Sequence, residues 1–181
     1  MVRIYEVRFH GRGGQGVKMS SHVLGRAAFL SGFFTQDFAV YGAERRGAPL
    51  TSFCRISKEP VATRGYIFEP DYVICLDPTL RMDIVTNGLK NSGFLLLNST
   101  EKPNIDAKFK IKNIDATRIA LEIIGRPIPN IAILGAFAKL TDFISMRSLE
   151  KAIRIELEEA GHAGLIDANI KAARKCYRVM K

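Results

Sequence analysis

His10-Gly11-Arg12-Gly13-Gly14-Gln15-Gly16 puts four glycines, a cation and an amide into seven consecutive residues. Gly11, Gly13 and Gly16 satisfy a G-x-G-x-x-G spacing, and each glycine has a mechanical use. One makes a tight turn, one lets a pyrophosphate approach the backbone, and one permits close contact between helix and strand. Amides at the start of the following helix would then face an anion. Asp37 lies 21 residues after Gly16, near the place of a ribose-binding acid. The spacing suits a nicotinamide or flavin dinucleotide. The same glycines serve equally for tight packing against a neighbouring chain, and Gly14 makes the loop denser in glycine than a dinucleotide fingerprint requires. A phosphate-binding Walker loop is excluded, because Val17 separates Gly16 from Lys18.

Other reactive side chains are sparse. His10, His22 and His162 have no spacing suited to a metal, and His10 stands out only by its place beside the glycine turn. Cys54, Cys75 and Cys176 are far apart and odd in number, fitting neither a disulfide framework nor a zinc or iron–sulfur run. They read as core thiols in a reducing cytoplasm. A Tyr-x-x-x-Lys pair at Tyr177 and Lys181 falls on the last five residues, where a helix frays. There is no nucleophile elbow and no pair of carboxylates flanking a cleft. No residue is assigned a catalytic or a metal-ligating role. A binding loop without catalytic apparatus suggests a subunit.

The elements that position the loop are legible from periodicity. Ile4–Phe9 alternates as a strand, and Val17–Leu30 carries a helical stripe of small and apolar residues. Phe33–Val40, Leu50–Ile56, Tyr72–Leu76 and Phe94–Leu97 read as strands, the last two apolar enough to be buried on both faces. Asp77-Pro78 is expected to open a helix, with Asp as cap and Pro at the first position. Ala107–Lys112 alternates apolar residues with lysines, as an edge strand does. From Asp115 the period is helical: Ala116–Ile124, Asn130–Leu140, a helix capped by Ser148, and Leu165–Val179. The predicted fold is a single α/β domain over residues 1–181. It is a three-layer α/β/α sandwich with a Rossmann-like, mostly parallel sheet and a helical C-terminal third.

The 181 residues, 20.1 kDa, suffice for one core. Arg3, Glu6 and Arg8 argue against a secretory segment starting at Met1, and the longest uncharged apolar run, Ile131–Ala138, is far short of a membrane span. A net charge of +9 raises the question of nucleic acid or of an acidic partner. Lys171, Arg174, Lys175 and Arg178 share one face of the last helix, either a solvated face or a docking face. With no Trp and no aromatics interleaved with the basic residues, a stacking platform for single strands is not expected.

Gly11-Arg12-Gly13-Gly14-Gln15-Gly16 followed by Tyr41-Gly42-Ala43-Glu44-Arg45-Arg46-Gly47-Ala48-Pro49 closely resembles the gamma subunit of the 2-oxoacid:ferredoxin oxidoreductases. Glu6-Val7-Arg8-Phe9-His10 is similar to the pyruvate branch. Asp71-Tyr72-Val73-Ile74-Cys75-Leu76-Asp77, Asn130-Ile131-Ala132-Ile133-Leu134-Gly135 and Asn169 are similar to the family's remaining motifs. The resemblance implies a complex that decarboxylates a 2-oxo acid, pyruvate by the branch it resembles, makes acyl-coenzyme A and passes electrons to ferredoxin. It implies thiamine diphosphate, Mg2+, [4Fe-4S] clusters and coenzyme A in the complex, none of them held by this chain. The implied partners are alpha, beta and ferredoxin-like delta subunits, in the cytoplasm, with neither nucleic acid nor membrane. Gly11 to Gly16 would lie near the active site or the coenzyme A route. The paired Arg45 and Arg46 could grip phosphate or carboxylate through their guanidinium forks, and ion pairs of Glu44, Arg45 and Arg46 across a subunit interface are the preferred reading. The competing readings are a free-standing NAD(P)-binding Rossmann-like protein and a basic nucleic-acid-binding module.

Overall fold

A computed structural model describes residues 3–40 and 46–181. Six strands form one sheet in the order β2-β3-β1-β4-β5-β6. They are β1 (Ile4–Arg12), β2 (Phe34–Ala39), β3 (Pro49–Ser57), β4 (Tyr72–Cys75), β5 (Phe94–Asn98) and β6 (Lys110–Ile114). The pairs β1–β4, β4–β5 and β5–β6 are parallel, whereas β3 runs antiparallel to both β1 and β2. The α/β fold with a mostly parallel sheet is as expected. The chain first builds outward from β1 to one side, then crosses to the other. This makes the C-terminal ends of β1 and β4 a topological switch point, where open α/β sheets bind their ligands.

The helices are α1 (Val17–Phe29), α2 (Met82–Val85), α3 (Ala116–Ile124), α4 (Ala132–Leu140), α5 (Met146–Glu159) and α6 (Ile166–Val179). All but α2 pack on one face of the sheet. There Val7, Phe9, Cys54, Ile56, Ile74 and Leu96 meet the apolar stripes of α1 and α4. Helix α4 is buried from Ala132 to Ala138. It lies so close to α6 that a Cβ on Gly135 would come within 1.9 Å of the Ala173 carbonyl oxygen. The opposite face is covered thinly, by α2 and an extended strap over residues 58–71.

Two buried arginines hold that strap. The Arg8 guanidinium donates to the carbonyls of Ile67, Phe68, Val85 and Asn87, at 2.6–3.4 Å. Arg55, 2% exposed, donates to Glu6, Gln36 and the carbonyls of Gly65 and Tyr66. Buried charge is tolerated here because every donor finds an acceptor.

Four local expectations need correction. Asp77-Pro78 does not open a helix. The Asp77 carboxylate instead accepts from the Thr79 amide and hydroxyl, and α2 begins only at Met82 and lasts four residues. Ser145, not Ser148, caps α5. Ser148 is the third residue of that helix, and its hydroxyl returns to the Ser145 amide to complete a capping box. Strand β1 continues past Phe9 through Gly11 and Arg12, which pair with Leu50 and Pro49. The lysine-alternating edge strand is present but shifted to Lys110–Ile114.

Candidate functional site

The crevice at the C-terminal ends of β1 and β4 is built by four segments distant in sequence. Gly11 is where the strand can be crossed closely: a Cβ there would lie 2.6 Å from Val17 Cγ2 and 3.3 Å from Leu76 Cβ. The turn then needs left-handed backbone at Gly14 (φ +94°) and at Gly16 (φ +74°), which glycine adopts without cost. Gly16 is the N-cap of α1 and lies against Asn130, whose amide nitrogen would be 2.3 Å from an added Cβ. Asn130 donates to the Gly16 carbonyl, and the Ser20 hydroxyl reaches the Asn130 carbonyl at 3.0 Å.

Arg12 ties the crevice together. Its Nε donates to Asp77 Oδ2 at 3.0 Å, Nη1 to the Gly47 carbonyl at 3.1 Å and Nη2 to Thr79 Oγ1 at 2.9 Å. Gln15 Nε2 donates to the same Asp77 oxygen at 2.9 Å, while its Oε1 accepts from the Arg12 amide. Burial by itself would raise the Asp77 carboxyl. The hydrogen bonds from Thr79 and Gln15, with the charge of Arg12, outweigh it and hold Asp77 below the usual carboxylate range.

The glycine loop and the end of the second motif are zipped together. The Gly13 amide donates to the Ala48 carbonyl at 2.9 Å and the Gly47 amide to the Gly13 carbonyl at 3.1 Å. Arg46 is exposed beside Gly14, its Cγ 3.8 Å from where a Cβ would stand. Glu44 and Arg45, with Tyr41, Gly42 and Ala43, lie outside the described residues. The Asn130 motif and Asn169 converge on the same place. Together with Gly14, Gly16, Arg126 and His162 they line a recess of about 260 Å³.

The dinucleotide geometry does not form. The amides of Arg12, Gly13 and Gln15 are committed to partners inside the protein. Asp37 is aligned through Cys54 with Val7, four residues before Gly11, and accepts from His22 Nδ1 at 2.8 Å. His10 is buried and accepts from Arg8 Nε at 2.9 Å, so its Nε2 is unprotonated. Burial, with the Arg8 charge beside it, lowers its pKa to about 3, leaving a neutral ring at pH 7. Tyr177 is occupied at one face by Lys139, 5.3 Å from the ring centroid.

The residues present do not suit an iron–sulfur cluster. Cys54, Cys75 and Cys176 are buried. Burial pushes the Cys54 thiol up and the Cys75 and Cys176 thiols to about 12, keeping them protonated where a cluster needs thiolates. Among the described residues no group of three or more His, Cys, Asp or Glu side chains is placed to hold a metal. Among them, too, no helix is long and apolar enough to cross a membrane.

Periodicity could not identify Asp77 and Thr79 as the partners of Arg12, because Asp-Pro reads locally as a helix start. Asp77 closes the Asp71–Asp77 motif noted in the sequence, but no signal there singled out Thr79.

The sequence and the fold both have counterparts among known proteins. Residues 6–179 match the family described as pyruvate ferredoxin/flavodoxin oxidoreductase. The chain is 46% identical over 180 residues to the pyruvate/ketoisovalerate oxidoreductases common subunit gamma of Pyrococcus furiosus, covering 95% of each. It is 45% identical over 176 residues to the pyruvate synthase subunit PorC of Methanocaldococcus jannaschii, covering 97% of this chain and 96% of that one. The crystal structure of pyruvate oxidoreductase subunit PORC from Thermotoga maritima superposes with a TM-score of 0.82 at 36% identity, over 97% of this chain and 96% of that one.

Proposed function

This chain belongs to the pyruvate ferredoxin/flavodoxin oxidoreductase family as a gamma subunit, and from that premise we propose that it completes a complex oxidising pyruvate with ferredoxin as acceptor. The reaction converts the 2-oxo acid and coenzyme A to acyl-coenzyme A and carbon dioxide, releasing two electrons and a proton. Thiamine diphosphate, when bound, supplies the nucleophile for the keto carbon and the sink for the electrons left by decarboxylation. In this reading thiamine diphosphate, its Mg2+ and the [4Fe-4S] clusters belong to the alpha, beta and ferredoxin-like delta chains. The gamma chain contributes shape and contact, in the cytoplasm.

What supports this is the extent of the likeness: near-half identity runs over 180 residues and 95% of both chains. Within it, the crevice of Arg12, Asp77 and Asn130 is a braced scaffold, with its polar groups turned on one another. The reading assigns Gly11, Arg12, Gly13, Gly14, Gln15 and Gly16 to the junction with partner chains near the coenzyme A route. Glu44, Arg45 and Arg46 follow as docking residues, since Gly47 and Ala48 are hydrogen-bonded to Gly13.

The test is a tagged pull-down from the native source. Recovery of a brown assembly that reduces a viologen dye when given pyruvate is expected. The chain purified alone should be colourless and inactive toward pyruvate. A visible chromophore on the isolated chain, or turnover by it, would refute the assignment. So would micromolar NADH binding without any partner.

A further inference from the structure

The charge surplus is not spread evenly over the molecule. Two grooves share Arg147 and Lys151 on α5. One, about 810 Å³, runs to the start of β1 at Arg3 and to Lys58 beyond β3; the other, about 580 Å³, lies between α5 and α6. Eight cations line them against three carboxylates, so five of the chain's nine net positive charges collect here.

Two of the carboxylates are already neutralised. Arg174 grips Glu150 through two bonds of 2.6 and 2.7 Å, and Arg154 approaches Asp167 at 3.6 Å. Arg3, Lys58, Arg147, Lys151, Lys171 and Arg178 have no carboxylate partner among the described residues, and all six are exposed. The larger groove lies at the N-terminal end of β1, roughly 25 Å along the strand from the glycine loop. The second follows α5 and α6 away from the turn at His162 and Leu165 that borders the recess beside Gly14, and it shares no lining residue with that recess.

Its character discriminates between partners. Obligate subunit contacts are apolar, whereas contacts that form and break are polar and steered by charge. Among the described residues Leu30 is the one exposed large apolar side chain lining these grooves, whereas Tyr66, Phe68 and Ile84 gather on the strap face. The aromatic rings at the basic grooves are not free to stack on bases. Arg3 sits 4.6 Å over Tyr5, and Lys58 sits 3.6 Å over Phe33.

We propose that the α5–α6 basic surface is a transient docking site for a carboxylate-rich face of the protein electron carrier that the complex reduces. The identity of that occupant rests on the function proposed above. The six unpaired cations raise the local concentration of an acidic carrier and orient it. Their long exposed stems let it leave after transfer, because few contacts are desolvated.

The test uses the assembled complex carrying Arg147→Glu, Lys151→Glu and Lys171→Glu together. Two quantities are measured: the Kd for the organism's own ferredoxin, read directly by fluorescence, and pyruvate-dependent reduction of methyl viologen. The wild-type Kd should rise steeply with salt. The variant should bind ferredoxin about tenfold more weakly at low ionic strength, with a flattened salt dependence and unchanged dye reduction. Should the charge reversals impair folding, Arg147→Gln with Lys151→Gln and Lys171→Gln should still weaken binding about threefold.

An unchanged Kd in a complex that reduces the dye would overturn the docking site alone. Salt-sensitive ferredoxin binding by a complex that reduces no dye with any 2-oxo acid would leave docking standing and overturn the reaction. Loss of the subunit from the complex would mark an obligate contact and overturn the proposal. Tighter binding of a DNA duplex than of ferredoxin at physiological salt would do the same.

Discussion

Gly14 and Gly16 both need left-handed backbone, yet the structure gives them different neighbours. At Gly14 the space beyond the backbone is open apart from Arg46, so Gly14→Ala should cost only the conformational strain, about 1–2 kcal/mol. At Gly16 the same strain is joined by displacement of Asn130 and loss of its bond to the Gly16 carbonyl. Gly16→Ala should therefore cost about 2–3 kcal/mol. Urea unfolding of the two variants orders them; equal losses would mean that Asn130 moves freely. His10 makes a second residue-scale prediction. Its folded pKa of about 3 lies below the ordinary value of 6.5. Below pH 6.5 the unfolded chain takes up the proton first, so the stability His10 contributes is complete above that pH and declines as pH falls toward 3. Between pH 7 and pH 5 the loss should be roughly 2 kcal/mol. His10→Gln, which can still accept from Arg8, should flatten that slope in unfolding curves taken at the two pH values. An unaltered slope would show that His10 is not its source.

At the scale of elements, the two faces of the sheet are held by different forces. The helical face is held by apolar burial, with α4 enclosed between the sheet and α6. The strap face is held by the Arg8 and Arg55 guanidiniums donating to backbone carbonyls. Arg8→Met keeps an unbranched stem, two bonds shorter and apolar, and leaves the carbonyls of Ile67, Phe68, Val85 and Asn87 without their donor. Leaving a buried acceptor without its donor costs about 1–3 kcal/mol for each carbonyl that water cannot reach. The loss should be local first. Amide exchange over residues 58–71 should accelerate well before exchange in α4 and α6. Uniform acceleration across both faces would mean that the strap and the helical core open as one unit.

At the scale of the whole molecule, three surfaces divide the work: the crevice at the strand ends, the strap face and the basic grooves. The assignment of Glu44, Arg45 and Arg46 to docking separates from a phosphate role in the assembled enzyme. With Arg45→Ala and Arg46→Ala, co-purification with the alpha and beta chains should fail first, and any surviving complex should keep its coenzyme A KM. If the pair instead held phosphate, an intact complex would show that KM raised tenfold to a hundredfold, the equivalent of about 1.5–3 kcal/mol. Quantitative co-purification followed by coenzyme A titration decides between them.

The α/β class, the sheet that follows β1, the buried fourth helix and the motifs themselves could be read from sequence, because period and glycine spacing are local properties of the chain. Gly14 and Gly16 announce a turn wherever they occur after a strand. Partnership is not local. Asp77 looks like a helix cap until the parallel pairing of β1 with β4 brings it within 3.0 Å of Arg12. Asn130 looks like the opening of a helix until the turn before α4 is laid against the start of α1 and its side-chain amide meets Gly16. Arg8 and Arg55 look like the wet side of two strands until the strap closes over them. Asp37 has the right sequence distance for a ribose acid, but β3 inserts antiparallel beside β1 and leaves it level with Val7. In each case strand order and direction, set by long-range packing, decide which side chains meet, and no window of sequence contains that information.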